Sequence, residues 1–156
     1  MHDVVIIGGG AAGMTAAIYA ARKLLDMVMI GPDVGGQVAW ASEIENYLGY
    51  RMITGFDLVT KFEEHVREFG VLRVDDTVTS IEQLPDDTFH TATAGGVVYH
   101  SRTVIVSSGR SARNLGVPGE EDFKGKGISY CATCDAPLFP DEEVAVVGGG
   151  NAGLDA

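Results

Sequence analysis

The chain has 156 residues, enough for one substantial core, and 46% of them are hydrophobic. Its formal net charge of −11 argues against nucleic acid and anionic membrane as partners, since both require a positive field. No run approaches the ~20 apolar residues of a membrane span, and the N-terminus lacks the basic and long apolar regions of a secretory signal.

Val4-Val5-Ile6-Ile7 is a short apolar run ending in glycines, the pattern of a strand buried on both faces. Residues 11–25 follow with helical spacing, Met14, Ile18 and Leu25 falling on one side, and Val28-Met29-Ile30 reads as a second strand. This βαβ unit predicts parallel pairing through a right-handed crossover. At its first turn stands Gly8-Gly9-Gly10-Ala11-Ala12-Gly13, a dinucleotide fingerprint. Gly8 permits the tight turn, Gly10 lets backbone approach a pyrophosphate, and Gly13 lets helix and strand pack closely. The helix N-terminus offers N–H groups and a positive dipole end to the phosphates. A glycine-rich turn without ligand is the alternative, which the strand-turn-helix setting disfavours. A ribose-binding acid is expected ~20 residues further on. Asp33 is the candidate, slightly late, and an exposed loop aspartate is its other reading.

Residues 31–53 are irregular and hold Gly35-Gly36-Gln37 and the sole tryptophan, Trp40. A helix is predicted over 55–69, with Leu58, Val59, Phe62, Val66 and Phe69 at helical intervals and Gly70 as its stop. Strands follow at 71–74, 78–81, 89–93, 97–99 and 104–106, with Ala94-Gly95-Gly96 as a turn. They predict a small antiparallel meander that rejoins the parallel sheet through 103–106. Val117-Pro118-Gly119-Glu120 reads as a linker, and a further strand is expected at 144–147. That strand leads into a second fingerprint, Gly148-Gly149-Gly150-Asn151-Ala152-Gly153, opening a helix. The fold class is therefore α/β: a Rossmann-like dinucleotide-binding domain with a meander, then the start of a second one. The strand at 144–147 is apolar on both faces, so the helices and strand that cover it are expected in a longer or complementary polypeptide.

Cys131-Ala132-Thr133-Cys134-Asp135 lies between the two fingerprints and contains both cysteines of the chain. A zinc site needs about four ligands. There is no second CxxC, and His2, His65, His90 and His100 form no H-x₃₋₅-H pair, so a redox dithiol in a reducing compartment fits better. Two thiols at this spacing close and reopen a small ring with little backbone movement. Asp135 abuts the second cysteine, and a carboxylate repels a thiolate, so its use would be as proton donor or acceptor. Its other reading is a turn residue before Pro137. Two dinucleotide sites and a dithiol make a wire for hydride and disulfide chemistry, with a flavin as the usual converter.

Gly35-Gly36-Gln37, Ile44-Glu45-Asn46, Cys131–Asp135 and the 144–153 segment together resemble the low-molecular-weight thioredoxin reductases. The glutathione-reductase and lipoamide-dehydrogenase group carries its cysteines just after the first βαβ unit, a stretch that is cysteine-free here. The resemblance implies an FAD domain built from residues 1–116 plus a later return. It further implies a linker at 117–120 and, from 121 to 156, the start of an NAD(P)H-binding domain carrying the CxxC. It implies FAD contacts from Gly8, Gly10, Ala12, Gly13, Asp33, Gly35, Gly36, Gln37, Asn46 and Gly109, and NADPH contacts from Gly148, Gly150, Asn151 and Ala152. It makes Cys134 the flavin-facing thiol, Cys131 the one that attacks the partner's disulfide, and Asp135 the proton handler. Where the family has Ala-Thr-Gly this chain has Ser107-Ser108-Gly109, which keeps the glycine and a hydroxyl. The implied protein is a cytoplasmic homodimer, a thioredoxin-disulfide reductase passing electrons from NADPH through FAD to the dithiol and on to thioredoxin or a similar small protein. A flavoprotein reductase of a peroxiredoxin is the nearest rival; it normally carries thioredoxin-like domains upstream of its FAD strand. A reductase with another electron donor and a non-catalytic flavin-binding fragment are the others.

Overall fold

The computed structural model describes residues 1–41, 43–124, 126–136 and 139–154; the side chains of Thr133, Cys134 and Ala152 lie outside that description. It has two compact units, Met1–Arg110 and Ser111–Ala156.

The first unit is built on β1 (His2–Ile7), α1 (Ala11–Arg22), β2 (Met27–Ile30), a 3₁₀ turn (Gly36–Trp40), α2 (Gly55–Glu68), β3 (Arg73–Val74), β4 (Val78–Gln83), β5 (Phe89–Thr93) and β6 (Val98–Val106). All six strands share one sheet in the order β3-β2-β1-β6-β5-β4. β1 pairs in parallel with β2 on one side and β6 on the other, while β6–β5 and β5–β4 are antiparallel. Parallel β3-β2-β1-β6 with α1 as the crossover is a Rossmann-like core, and the meander extends the same sheet. The strands expected at 97–99 and 104–106 are not separate: residues 98–99 and 104–106 belong to the single strand β6, which bridges the two kinds of pairing.

Side chains alternate across a strand, so β1 feeds two clusters. Val4 and Ile6 pack with Met27, Met29, Val66 of α2 and Met14, Ala17 and Ala20 of α1. Val5 and Ile7 pack with Val28 and Ile30, flanked by Val74, Val78 and Tyr99. The uninterrupted apolar run is thus explained by burial on both faces. The buried stripe of α1 is Gly13, Met14, Ala17 and Ala20, small residues that let the helix sit close to the sheet. Leu25, expected on that stripe, lies beyond the helix and is exposed, because the chain leaves α1 at Lys23 and turns at Leu24, φ +58. In α2, Thr54 caps the start: its hydroxyl oxygen accepts from the Asp57 amide at 3.1 Å and its hydroxyl donates to the Asp57 carboxylate at 2.7 Å. Gly70, φ +65, follows the end as expected.

Among the described residues, the second unit has the short helices α3 (Glu120–Phe123), α4 (Ala132–Asp135) and α5 (Asn151–Leu154). The strand expected at 144–147 does not form: those residues are irregular, and Val144, Val146 and Val147 are exposed. A strand exists only when paired, and among the described residues nothing pairs with this one. No helix among the described residues is long and apolar enough to cross a membrane.

Candidate functional site

At the end of β1 the Ile7 carbonyl accepts two hydrogen bonds from Ser107, from its amide at 2.8 Å and its hydroxyl at 2.7 Å. The chain turns at Gly8, φ +111, where a Cβ would collide with the Ser107 carbonyl oxygen. Gly13 rests on the Gly8 carbonyl, and a Cβ there would also lie 2.9 Å from Ser107 Oγ. Protein packing therefore demands both glycines. Gly10 differs: an added Cβ would meet only the Gly35 carbonyl oxygen, at an ordinary 3.8 Å. It is the N-cap of the 12-residue helix α1 and no side chain caps that end, which leaves the first-turn amides to an outside acceptor.

A second glycine pair faces the first. The Gly35 amide donates to the Gly9 carbonyl at 2.8 Å, and Gly10 and Gly35 pair as an isolated bridge. Gly35 has φ +84, and Val59 of α2 occupies the place its side chain would need. A Cβ on Gly36 would stand 3.7 Å from Gly10 Cα. The result is a backbone-lined cradle that side chains at positions 10 and 36 would fill, and its shape and free helix end fit a pyrophosphate. Ala12 is exposed on the first turn of α1. Asp33 flanks the cradle through its carbonyl, beside Gly9, with its side chain exposed. The Gln37 amide nitrogen donates to the Arg110 carbonyl at 2.9 Å, tying the 3₁₀ turn to the segment after Gly109, which has φ +65. Asn46 is exposed in the loop closed by the Ile44–Ile53 pair. The apolar groove between α1 and α2, lined by Met14, Ile18, Tyr47 and Phe62 among others, holds none of the residues expected to touch a dinucleotide.

In the second unit the fingerprint repeats the same turn without the strand. Gly148 has φ +120, Gly153 rests on the Gly148 carbonyl, and Gly149 and Gly150 face open space. The Gly150 carbonyl accepts from the Leu154 amide at 3.1 Å, as the Gly10 carbonyl accepts from Met14 at 3.0 Å. Asn151 opens α5; the side chain of Ala152 lies outside the described ones.

Cys131 is disulfide-bonded and is the N-cap of α4; the side chain of Cys134 lies outside the described ones. The Asp135 amide donates to the Cys131 carbonyl at 3.0 Å. Two neighbours that sequence reasoning passes over hold this segment. Ser129 accepts from the Cys131 amide at 3.1 Å and donates to the Asp135 carboxylate at 2.5 Å. Tyr130 donates a short hydrogen bond to Glu120. Glu120, read from sequence as part of a linker, begins α3 and is only 3% exposed. Its carboxylate also accepts from the Leu115 amide at 2.8 Å and the Gly116 amide at 2.7 Å. The Tyr130 hydroxyl, with those amides, holds Glu120 below the ordinary carboxylate range, and the same bond pushes Tyr130 up to about 12.

A thioredoxin reductase of Listeria monocytogenes is 42% identical across 99% of this chain, which spans 48% of it. A protein of Bacillus subtilis named NADH dehydrogenase is also 42% identical across 99% of this chain, which spans 30% of it. The crystal structure of thioredoxin reductase from Streptococcus pyogenes superposes with a TM-score of 0.83 at 42% identity, covering 99% of this chain and 50% of that one. The chain thus spans half or less of these relatives. Residues 2–156 match the family described as pyridine nucleotide-disulphide oxidoreductase, and the chain belongs to that family.

Proposed function

We propose that the complete polypeptide is a thioredoxin-disulfide reductase, drawing electrons from NADPH and delivering them through Cys131 and Cys134 to thioredoxin or a similar small protein. One observation carries the reading: a disulfide-bonded Cys131 at the start of a one-turn helix that ends at Asp135, in a chain that aligns over 99% of its length with thioredoxin reductases. Family membership implies a flavin and a pyridine nucleotide. When bound, a flavin supplies two-electron exchange between a nicotinamide dinucleotide and a dithiol.

The chain's own residues divide the remaining work. Gly8, Gly10, Ala12 and Gly13 with Gly35, Gly36 and Gln37 hold the FAD pyrophosphate, and Asp33, Asn46 and Gly109 contact the rest of that cofactor. Gly148, Gly150, Asn151 and Ala152 hold NADPH. In this organisation 1–116 begins the FAD-binding domain, 117–120 links, and 121–156 begins the NAD(P)H-binding domain. Cys131, as thiolate, attacks one sulfur of the partner's disulfide; the other partner sulfur leaves and takes a proton from Asp135. Asp135, now a carboxylate, takes the Cys134 proton as the Cys134 sulfur attacks Cys131, and the second partner sulfur leaves as a thiolate that takes that proton. The partner gains two electrons and two protons, and Cys131–Cys134 is left oxidised. The complete protein is read as a cytoplasmic homodimer.

A second reading, an NADH-dependent flavoprotein oxidoreductase, draws on the Bacillus relative. Both are tested by bleaching the flavin of the full-length polypeptide anaerobically with NADPH or NADH, then adding oxidised thioredoxin. NADPH-preferring bleaching and thioredoxin-dependent recovery are expected; NADH preference favours the second reading. Cys131→Ser should abolish thioredoxin reduction while leaving the flavin reducible, and full turnover in that variant overturns the dithiol assignment.

A further inference from the structure

We propose that Ser129 is a positioning residue for the proton-handling carboxylate, its hydroxyl holding Asp135 over the backbone of Cys131. This rests on the reading of Cys131, Cys134 and Asp135 given above. The geometry is a closed ring of hydrogen bonds that begins and ends on Cys131. The Cys131 amide donates to Ser129 Oγ at 3.1 Å, the Ser129 hydroxyl donates to Asp135 Oδ2 at 2.5 Å, and the Asp135 amide donates to the Cys131 carbonyl at 3.0 Å. A serine hydroxyl has one hydrogen. The Cys131 carbonyl, 3.3 Å from Ser129 Oγ, competes for it at a poorer distance, so the hydrogen goes to the carboxylate.

Such a bond to an ionised oxygen is short and stronger than a neutral one. Without it the half-buried Asp135 side chain loses the one side-chain hydrogen bond shown for its carboxylate among the described residues. Ser129 is itself held in place from the next residue: Tyr130 is bonded to Glu120, whose carboxylate is buried and tied to the Leu115 and Gly116 amides. The serine therefore connects a fixed point of the unit to the carboxylate beside the second cysteine.

The test is a double-mutant cycle in the full-length holoenzyme, with Ser129→Ala, Asp135→Asn and both together. Ser129→Ala should lower kcat for thioredoxin reduction about 3–10-fold, as loss of a well-placed proton carrier does in part, with KM for thioredoxin within about twofold. In the Asp135→Asn background the same change should cost less than about twofold, because residues acting through one another are not additive. Flavin content and the rate of flavin bleaching by nucleotide control for a general defect. Ser129→Thr should restore turnover and its near-isostere Ser129→Val should not, a pair that answers the question if alanine destabilises the segment. Wild-type kcat in Ser129→Ala, equal turnover in the Thr and Val variants, or full additivity with Asp135→Asn overturns the proposal. Absence of thioredoxin reduction in the wild-type holoenzyme overturns the underlying reading instead.

Discussion

The turns at 8–13 and 148–153 are nearly superimposable in kind. Their first glycines have φ +111 and +120, and in each the glycine at the sixth position sits on the carbonyl of the first. Behind the first turn stand Val4, Val5, Ile6 and Ile7, none more than 8% exposed and all paired on both sides. Behind the second, Val144, Val146 and Val147 are 69%, 52% and 67% exposed and unpaired among the described residues. The glycine turn is therefore a local property, fixed by allowed backbone angles and a close contact six residues wide. The strand is not local, because its hydrogen bonds and buried faces belong to neighbours distant in sequence. Full burial of a valine contributes about 1.5–3 kcal/mol, so the 144–147 segment gains most from whatever chain covers it.

The comparison breaks most severely at the glycines that packing demands. Gly13→Val should cost more than about 4 kcal/mol and leave no cooperative melting transition, since its side chain must enter the Gly8 carbonyl and Ser107. A native melting temperature in that variant would show that the turn is looser than its geometry. Gly10→Val, three residues away, should stay within about 1 kcal/mol of wild-type stability because the space before Gly10 is open. It should nevertheless purify without FAD, which the flavin-to-protein absorbance ratio reads directly. Recovery of Gly10→Val with stoichiometric FAD would remove the cradle from the cofactor site.

Hydrogen exchange sharpens the contrast between the strands. Amides of β1 should be protected to the level of global unfolding, whereas those of 144–147 should exchange within seconds in this 156-residue chain. They should become protected in a longer polypeptide that supplies a partner strand. Equal protection of both segments in the short chain would mean that 144–147 pairs after all.

What the sequence made legible follows the same division. The first βαβ unit, the fingerprint turns and α2 were readable because each rests on local spacing: an apolar run, glycines at set offsets, Thr54 and Gly70 as cap and stop. The end of α1 was not, since Leu25 is in phase with Met14 while the chain has already turned at Leu24. The single long strand β6 reads as two because the polar run His100, Ser101, Arg102 and Thr103 interrupts its apolar pattern, although Ser101 has none of its surface exposed. Glu120 and Ser129 were illegible as site residues. Their partners lie ten and six residues away across a fold that no periodicity announces.

The smallest expected effect concerns that last pair, and it is spectroscopic. The bond to Glu120 pushes Tyr130 up from 10.0 to about 12, and holds Glu120 down. The two shifts act on stability at opposite ends of the pH range. Tyr130, raised in the folded state, contributes fully below its unfolded value near 10 and loses that contribution as pH rises through about 12. Glu120, depressed in the folded state, contributes above its unfolded value near 4.5 and loses it as pH falls through its lower folded value. The stability lost in Tyr130→Phe should thus be constant between about pH 5 and 10 and shrink beyond both limits. The phenolate absorbance of the five tyrosines should show one late titration phase in the wild type that Tyr130→Phe removes. If all five titrate together near 10, or if the late phase survives the substitution, Tyr130 is not bound to Glu120 in solution. The anchor beneath Ser129 and Cys131 would then have to be sought elsewhere in the second unit.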